Sequence, residues 1–337
     1  MIYDCFTFFN ELDLLEIRLN TLSDVVDRFV IAEATRTYSG KHKELVFAGN
    51  RQRFAAFADR IDYIVVEDLL DTQTIARDPY NLPWVNENRQ RNALMRVVAN
   101  AKPTDIVMVS DLDEIPRPEE VAKIDTRLND KVATVRFEME FFNYYLNFKN
   151  YSYDTWRLGT VATRRSLFDE SAGALMRVKS DRYTPASENA GSTFNRLRFV
   201  NADLNLPHSG WHFSYLGGIN AIRKKLESFS HVEFSRLDPE LLAQRIANGK
   251  DLFGRIGRSF GIVIDEHFPR YIQEHQTELS KLIYMVDENY LRRTARARRM
   301  AQLCGCLYTA MVKMVPQSFA PLAVRCRDAV MKLLGKN

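Results

Sequence analysis

The sequence lacks the features that mark disulfide-rich or membrane-spanning proteins. Only four cysteines occur among its 337 residues, too few for a stabilising disulfide framework, so we expect reduced thiols and a cytoplasmic protein. No uncharged apolar run reaches the ~18 residues that cross a bilayer, and the first residues lack the basic and apolar regions of a signal peptide. These absences predict a globular protein without a membrane span.

Charge is distributed unevenly along the chain, although the net charge is only +4. Residues 290–337 contain ten Lys or Arg and one acid and so carry +9, whereas residues 1–289 carry 37 basic and 42 acidic residues, or −5. Apolar residues make up 46% of the sequence, as in most globular domains. We therefore predict one domain over residues 1–275 and a basic, helical C-terminal extension over residues 276–337.

Strand-like and helix-like stretches alternate through the first 140 residues. Leu12–Leu22 and Glu87–Ala101 show helical spacing of their apolar residues. The strand-like runs between them are Ile2–Phe9, Phe29–Ala32, Ile61–Val66, Ile106–Val109 and Val132–Phe137. This alternation predicts an α/β fold with a mostly parallel central sheet flanked by helices. Such sheets bind ligands beyond the carboxyl ends of their strands.

Three carboxylates follow one of these strands in the segment DIVMVSDLDEIP: Asp111, Asp113 and Glu114. Because side chains alternate along a strand, Asp111 and Asp113 are expected to point the same way. Neighbouring carboxylates repel unless a positive charge lies between them, and a divalent cation with oxygen ligands is a common solution. The alternative is an acidic turn ahead of Pro116 without a ligand.

Two other segments favour a ligand site at this edge of the sheet. The segment NENRQRN, residues 86–92, is expected to begin a helix whose N-terminus and Arg91 face the same edge, where they suit an anion such as a diphosphate. The alternative is a solvated helix surface. The segment PHSGWHFSYLGG, residues 207–218, places Trp211 where it could cover a sugar or base. His212 beside it could complete a metal site with the carboxylates.

Several stretches in the same order resemble glycosyltransferase family 17: YDCFTFFNELDLLEIRLNTL, VDRFVIAEATRTYSGKHKEL, NENRQRN, VSDLDEIP, SGWHFSYLGG and KLESFSH. That family includes β-1,4-mannosyl-glycoprotein β-1,4-N-acetylglucosaminyltransferases. The resemblance extends from residue 1 to about residue 275. It implies a GT-A-type nucleotide-sugar-binding fold, a UDP-sugar donor, a bound Mn²⁺ or Mg²⁺ ion and inversion at the anomeric carbon.

The resemblance also implies roles for individual residues. Asp111 and Asp113 would hold the metal and the nucleotide, and His212 would be a further metal ligand. The nucleotide pocket would be lined by Glu11, Glu33 and Arg91. Inverting transfer needs a base for the acceptor hydroxyl, and the candidates are Glu138, Glu140, Glu170 and Glu188.

The predicted function is therefore an inverting, metal-dependent transfer of a sugar, GlcNAc from UDP-GlcNAc, onto a glycan or lipid-linked glycan. Two alternatives stay open: another GT-A enzyme, similar to family 2, with a different donor, and a non-catalytic carbohydrate- or membrane-binding protein on the same fold. The basic residues 290–337 are expected to hold the protein on the inner face of an anionic membrane, or else to pack on the domain. No base-reading aromatics lie among the arginines, so no nucleic-acid partner is expected.

Overall fold

The computed structural model describes residues 1–151, 154–168, 197, 202–230, 237–253 and 258–314. Within these residues the chain forms two sheets. The strands are β1 Ile2–Phe8, β2 Arg28–Ala34, β3 Ile61–Val66, β4 Ile106–Asp111, β5 Glu114–Pro116, β6 Thr134–Phe137, β7 Glu140–Asn143, β8 Phe148–Asn150, β9 Val161–Arg164, β10 Leu204–Leu206, β11 Gly210–Ser214 and β12 Ser259–Gly261.

The larger sheet has seven strands in the order β10-β6-β9-β4-β1-β2-β3. Strand β1 pairs in parallel with β2 and β4, β2 with β3, and β10 with β6. Only β9 runs the other way, antiparallel to β4 and β6. The predicted α/β fold with a mostly parallel central sheet is confirmed.

The second sheet has five strands in the order β12-β8-β7-β11-β5. Strand β11 is antiparallel to β5 and parallel to β7. The chain leaves the large sheet at Asp111 and enters the small sheet at Glu114. The segment from Asp111 to Glu114, called the acidic turn below, is therefore the junction between the two sheets.

Helices cover the large sheet on both faces. The apolar side of Leu12–Leu22 packs against Phe6 and Phe8 of β1 on one face, whereas Leu94 and its neighbours pack against the alternate residues of β1 on the other. The α-helices are Leu12–Leu22, Val46–Gly49, Thr72–Ile75, Leu82–Ala93, Met95–Val98, Pro118–Val121, Ile124–Arg127, Gly218–Ser228, Pro239–Ala247, Arg270–Glu274 and Glu288–Met314, and 3-10 helices span Arg51–Arg60, Arg165–Phe168 and Ser280–Leu282.

The helix predicted over Glu87–Ala101 is placed differently in the structure. It begins at Leu82, with Pro83 in its first turn, where a missing backbone N–H costs no helical hydrogen bond. It ends at Ala93 and is followed by the short helix Met95–Val98. The predicted helix began five residues late. In the structure Arg91 therefore lies in the last turn of the helix and not near its N-terminus.

The hydrophobic core continues beyond the domain boundary expected at residue 275. Leu279 and Leu282 are buried in the same cluster as Phe142 and Phe268. The Asn147 side chain donates to the Tyr284 carbonyl at 2.9 Å. The long basic helix begins at Glu288, so the segment just before it is part of the folded domain.

Candidate active site

The acidic turn sends its carboxylates in different directions. Strand β4 ends at Asp111, and the chain turns through Leu112 and Asp113 before β5 begins at Glu114. Strand alternation applies only while the chain is extended. The prediction that Asp111 and Asp113 face the same way is wrong, because the turn intervenes and gives each carboxylate its own partners.

Asp113 lies in a buried, positively charged setting. Its Oδ2 accepts a hydrogen bond from Lys225 Nζ at 3.1 Å, and its Oδ1 lies 3.6 Å from His212 Nε2. Burial alone would raise the pKa of the Asp113 carboxyl, but Lys225 and His212 outweigh it and hold that pKa below its usual range. Burial lowers the pKa of Lys225, but the negative charges of Asp113 and Glu11 raise it by more, so the net effect is an increase. Both shifts favour the charged pair.

Asp111 is paired with Arg91, as the inward orientation predicted for this arginine requires. Arg91 Nη1 donates to Asp111 Oδ1 at 3.0 Å, and Nη2 donates to Glu87 Oε1 at 3.0 Å. The Arg91 side chain is 1% exposed, whereas that of Asp111 is 37% exposed. The cation therefore comes from the last turn of its helix. The contribution of a helix N-terminus at this edge stays a prediction.

Glu114 points inward and stabilises the turn. It is fully buried, its Oε2 accepts from the Asp111 backbone N–H at 3.1 Å, and its Oε1 accepts from the Trp156 indole at 3.1 Å. Trp156 in turn packs against His212, with ring centroids 4.8 Å apart. Asp111 and Asp113 therefore lie in the candidate site, whereas Glu114 supports the backbone of the turn that carries them.

His212 is positioned by the small sheet. It pairs with Glu114 of β5 on one side and with Phe141 of β7 on the other, and its ring stacks on Phe141 with centroids 4.9 Å apart. The imidazole is buried, and its Nδ1 has no hydrogen-bond partner among the described residues. A buried ring nitrogen without a partner is costly unless a ligand satisfies it.

The predicted metal triad does not form one cluster. Among the described residues, the group of three potential ligands with atoms within 4.8 Å of one another is Asp265, Glu266 and His267, all exposed. Asp113 and His212 face each other, but Asp111 turns to Arg91. The structure therefore brings two of the three predicted metal ligands together.

Glu33, predicted to line the nucleotide pocket, is instead an interior hydrogen-bond acceptor. It is fully buried at the end of β2. Its carboxylate accepts from Lys43 Nζ at 2.8 Å, the Val46 and Phe47 backbone N–H groups at 2.6 and 3.1 Å, and the Tyr63 hydroxyl at 2.9 Å. These contacts cap the helix Val46–Gly49, so the carboxylate has a structural role.

Trp211 also lies away from the site. Because side chains alternate along β11, the orientation that brings His212 to Asp113 sends Trp211 to the opposite face. There its indole donates to the His267 carbonyl at 3.0 Å, and the Arg117 guanidinium lies 4.3 Å from its ring. The prediction that Trp211 contacts the nucleotide or sugar is wrong for this arrangement.

Glu11 lies beside the same lysine as Asp113, and its predicted role in the nucleotide pocket stays a prediction. It precedes the helix Leu12–Leu22, and its Oε1 lies 3.5 Å from Lys225 Nζ. Lys225 therefore bridges Glu11 and Asp113. Sequence reasoning assigned no role to Lys225, although it lies in the KLESFSH stretch that carries part of the family resemblance.

The four glutamates predicted as candidate bases lie in different surroundings. Glu140 pairs with Arg117 and Lys149 on the Trp211 side of the small sheet, away from His212. Glu138 is buried, with the Thr155 hydroxyl donating to its Oε2 at 2.9 Å. Glu170 and Glu188 lie outside the described residues. Glu138 is paired with one cation, because Arg157 Nε lies 3.7 Å from its Oε1, whereas Glu140 is held between two.

Comparison with known proteins gives one match in sequence. The profile of glycosyltransferase family 17 matches residues 1–170. A search of curated proteins found no match.

Among solved structures, S. aureus TarS 1–349 aligns at 10% identity and a TM-score of 0.35, covering 97% of this chain and 87% of that one. M. tuberculosis glucosyl-3-phosphoglycerate synthase, in complex with Mn²⁺, UDP and phosphoglyceric acid, aligns at 17% identity and a TM-score of 0.27, covering 50% of this chain and 56% of that one. At these TM-scores the likenesses carry no argument about this chain.

Proposed function

Because this chain belongs to glycosyltransferase family 17, we propose that it transfers GlcNAc from UDP-GlcNAc to a glycan or lipid-linked glycan, with inversion and with the help of a divalent cation. Family membership makes it a glycosyltransferase. The donor, the cation and the stereochemistry are the proposal.

One observation carries the proposal: two carboxylate–cation pairs lie at the acidic turn, at the carboxyl edge of the large sheet. Asp113 is paired with Lys225, and Asp111 is paired with Arg91. Cations at this place suit the phosphates of a nucleotide sugar, whereas carboxylates suit a divalent ion or sugar hydroxyls. The edge is also where ligands of parallel sheets bind.

The residues present fit a divalent cation of the Mn²⁺ type. Asp113 Oδ1 and His212 Nε2 lie 3.6 Å apart, a separation that two ligands of one ion can adopt. Carboxylate with imidazole is a suitable donor set for Mn²⁺. When bound, such an ion would offset the negative charge of the departing diphosphate.

The chain's own side chains account for the remaining requirements. Arg91 and Lys225 supply fixed positive charge where the leaving diphosphate would develop negative charge. The acceptor hydroxyl attacks the anomeric carbon as its proton passes to a base and the bond to the diphosphate breaks. We propose Glu138 for that base among the described residues, since its carboxylate is paired with one cation, Arg157 at 3.7 Å, whereas Glu140 is held between two, and Glu170 and Glu188 remain candidates.

Replacement of Asp113 tests the donor site. We expect the wild-type protein to bind UDP more tightly with Mn²⁺ than without it, and Asp113→Asn to lower that Mn²⁺-dependent affinity by at least about 10-fold. Isothermal titration calorimetry with UDP measures it, and a thermal-shift panel of UDP-, GDP- and CMP-sugars identifies the donor. Asp130→Asn is the matched control, because Asp130 is exposed. Wild-type UDP affinity in Asp113→Asn at saturating Mn²⁺ would contradict the proposal.

A further inference from the structure

A fully buried ion pair lies directly beneath the acidic turn. Asp4 of β1 and Arg18 of the helix Leu12–Leu22 are both 0% exposed. Arg18 Nε donates to Asp4 Oδ2 at 2.7 Å, and Nη2 donates to Asp4 Oδ1 at 2.6 Å. This bidentate contact balances the charge of the guanidinium and fixes its plane.

The remaining N–H groups of the Arg18 guanidinium all donate to residues of the turn or to Ser110 just before it. Nη1 lies within hydrogen-bond distance of three backbone carbonyls, those of Asp111 at 3.0 Å, Leu112 at 3.1 Å and Glu114 at 2.8 Å. Nη2 donates to the Ser110 hydroxyl at 2.7 Å. One side chain therefore contacts four of the five residues from 110 to 114.

Among the carbonyls of residues 111 to 114, that of Asp113 is the one that Arg18 does not contact, and the small sheet holds it. The Asp113 carbonyl accepts from the Phe213 backbone N–H at 2.8 Å. All four carbonyls from residue 111 to residue 114 thus have donors inside the protein. Because its carbonyls are hydrogen-bonded inside the protein, the backbone of the turn is constrained, and with it the direction of the Asp113 side chain.

Stability alone does not account for a charged pair at this place. Replacing a buried ion pair by apolar side chains of similar volume is often neutral or stabilising. What an apolar pair cannot do is donate to several carbonyls at once, whereas the planar, five-donor guanidinium can. We propose that Arg18, oriented by Asp4, is a positioning residue that presents Asp113 to the donor and its cation without contacting either. This inference rests on the proposed function.

A double substitution separates positioning from folding. Asp4→Leu/Arg18→Met removes both charges together, so no unpaired charge stays in the core. We expect the variant to unfold cooperatively but to bind UDP with Mn²⁺ between about 10- and 100-fold more weakly than wild type, the size of effect that a small misplacement produces. Arg18→Lys, which keeps the charge beside Asp4 but loses the fork, is expected to show the same loss.

The matched control is Arg28→Met/Asp62→Leu. This pair joins β2 and β3 through two hydrogen bonds from one guanidinium, which also donates to the Asp59 carbonyl at 2.7 Å, and these partners lie outside the acidic turn. We expect its UDP affinity to stay within about twofold of wild type, because sites without shared partners act independently. A folded Asp4→Leu/Arg18→Met or Arg18→Lys variant with wild-type affinity would overturn the inference.

Amide hydrogen exchange without ligand supplies a readout that does not depend on the proposed function. We expect the Asp111 and Asp113 amides to exchange faster in both Arg18 variants, while the β2–β3 amides exchange as in wild type. Unchanged exchange in the turn would overturn positioning even if UDP binding were lost. Faster exchange in a protein whose wild type does not bind UDP would support positioning and contradict only the proposed donor.

Discussion

At the scale of single residues, Lys225 decides how the site is charged when no ligand is bound. Its ammonium lies 3.1 Å from Asp113 Oδ2 and 3.5 Å from Glu11 Oε1. The same place would receive the phosphates and the cation of the donor. Lys225 is 25% exposed, so it can turn from the carboxylates to a phosphate oxygen without leaving a buried cation unpaired.

We therefore expect Lys225→Met to weaken UDP binding at saturating Mn²⁺ by about 10-fold, the value of one charge-assisted hydrogen bond. Lys224→Met is the matched control, because Lys224 is the exposed neighbour of Lys225 on the same helix. Calorimetric titration of both variants with UDP measures the difference. Equal affinities for the two variants would show that Lys225 only neutralises Asp113 and Glu11.

At the scale of secondary-structure elements, Glu33 joins three segments that the sequence keeps apart. Its carboxylate accepts from Lys43, from the first backbone N–H groups of the helix Val46–Gly49 and from Tyr63 of β3. The carboxylate at the end of β2 therefore anchors the connection between β2 and β3. That role differs from the pocket-lining role implied by the resemblance.

We expect Glu33→Gln to lower the free energy of unfolding by about 1–3 kcal/mol, because a buried donor would be left unsatisfied. UDP affinity of the folded variant should be unchanged. Glu67→Gln, at the exposed residue that follows β3, should stay within about 0.5 kcal/mol of wild type. Denaturant unfolding gives both values. A Glu33→Gln protein of wild-type stability but weakened UDP binding would restore the glutamate to the pocket.

At the scale of the whole molecule, the basic C-terminal helix contacts the domain near its start and again at Cys306, whose Sγ lies 3.8 Å from Asp154 Oδ1. The Tyr290 hydroxyl accepts from the Gly261 backbone N–H at 2.9 Å, and its ring lies 5.5 Å from that of Tyr284. Further along, the exposed side chains include Met300, Leu303 and the four arginines Arg292, Arg293, Arg296 and Arg299. Among the described helices, none is long and apolar enough to cross a membrane.

We propose that residues 290–337 hold the protein on an anionic membrane surface, where each cation contributes about 1 kcal/mol. Co-sedimentation with vesicles that contain phosphatidylserine should decrease with salt and with truncation before Glu288. Changing the four exposed arginines to glutamate should abolish it, whereas changing the same four to lysine should preserve it. Equal recovery of the glutamate and lysine variants in the supernatant at low salt would exclude an electrostatic attachment.

The predictions from sequence that the structure confirms depend on patterns within one segment. The helix Leu12–Leu22 has the predicted bounds because its leucines repeat at helical spacing, and Ile61–Val66 is a strand because its apolar run lies between polar segments. Asp113, His212, Arg91 and Glu11 were identified from local composition and resemblance, and their role in a donor site stays a prediction. The structure places all four around the acidic turn or its partners.

The directions and partners of these side chains were decided only by the tertiary structure. Asp113 meets a lysine 112 positions away, and Arg18 meets the Asp111 carbonyl 93 positions away. Consecutive residues of a strand face opposite sides of the sheet, as the different surroundings of Trp211 and His212 show, so a register error of one residue would exchange them. A local sequence pattern determines whether a segment has the period of a strand or of a helix. Contacts between residues far apart in sequence depend instead on strand order and on where the chain passes from one sheet to the other.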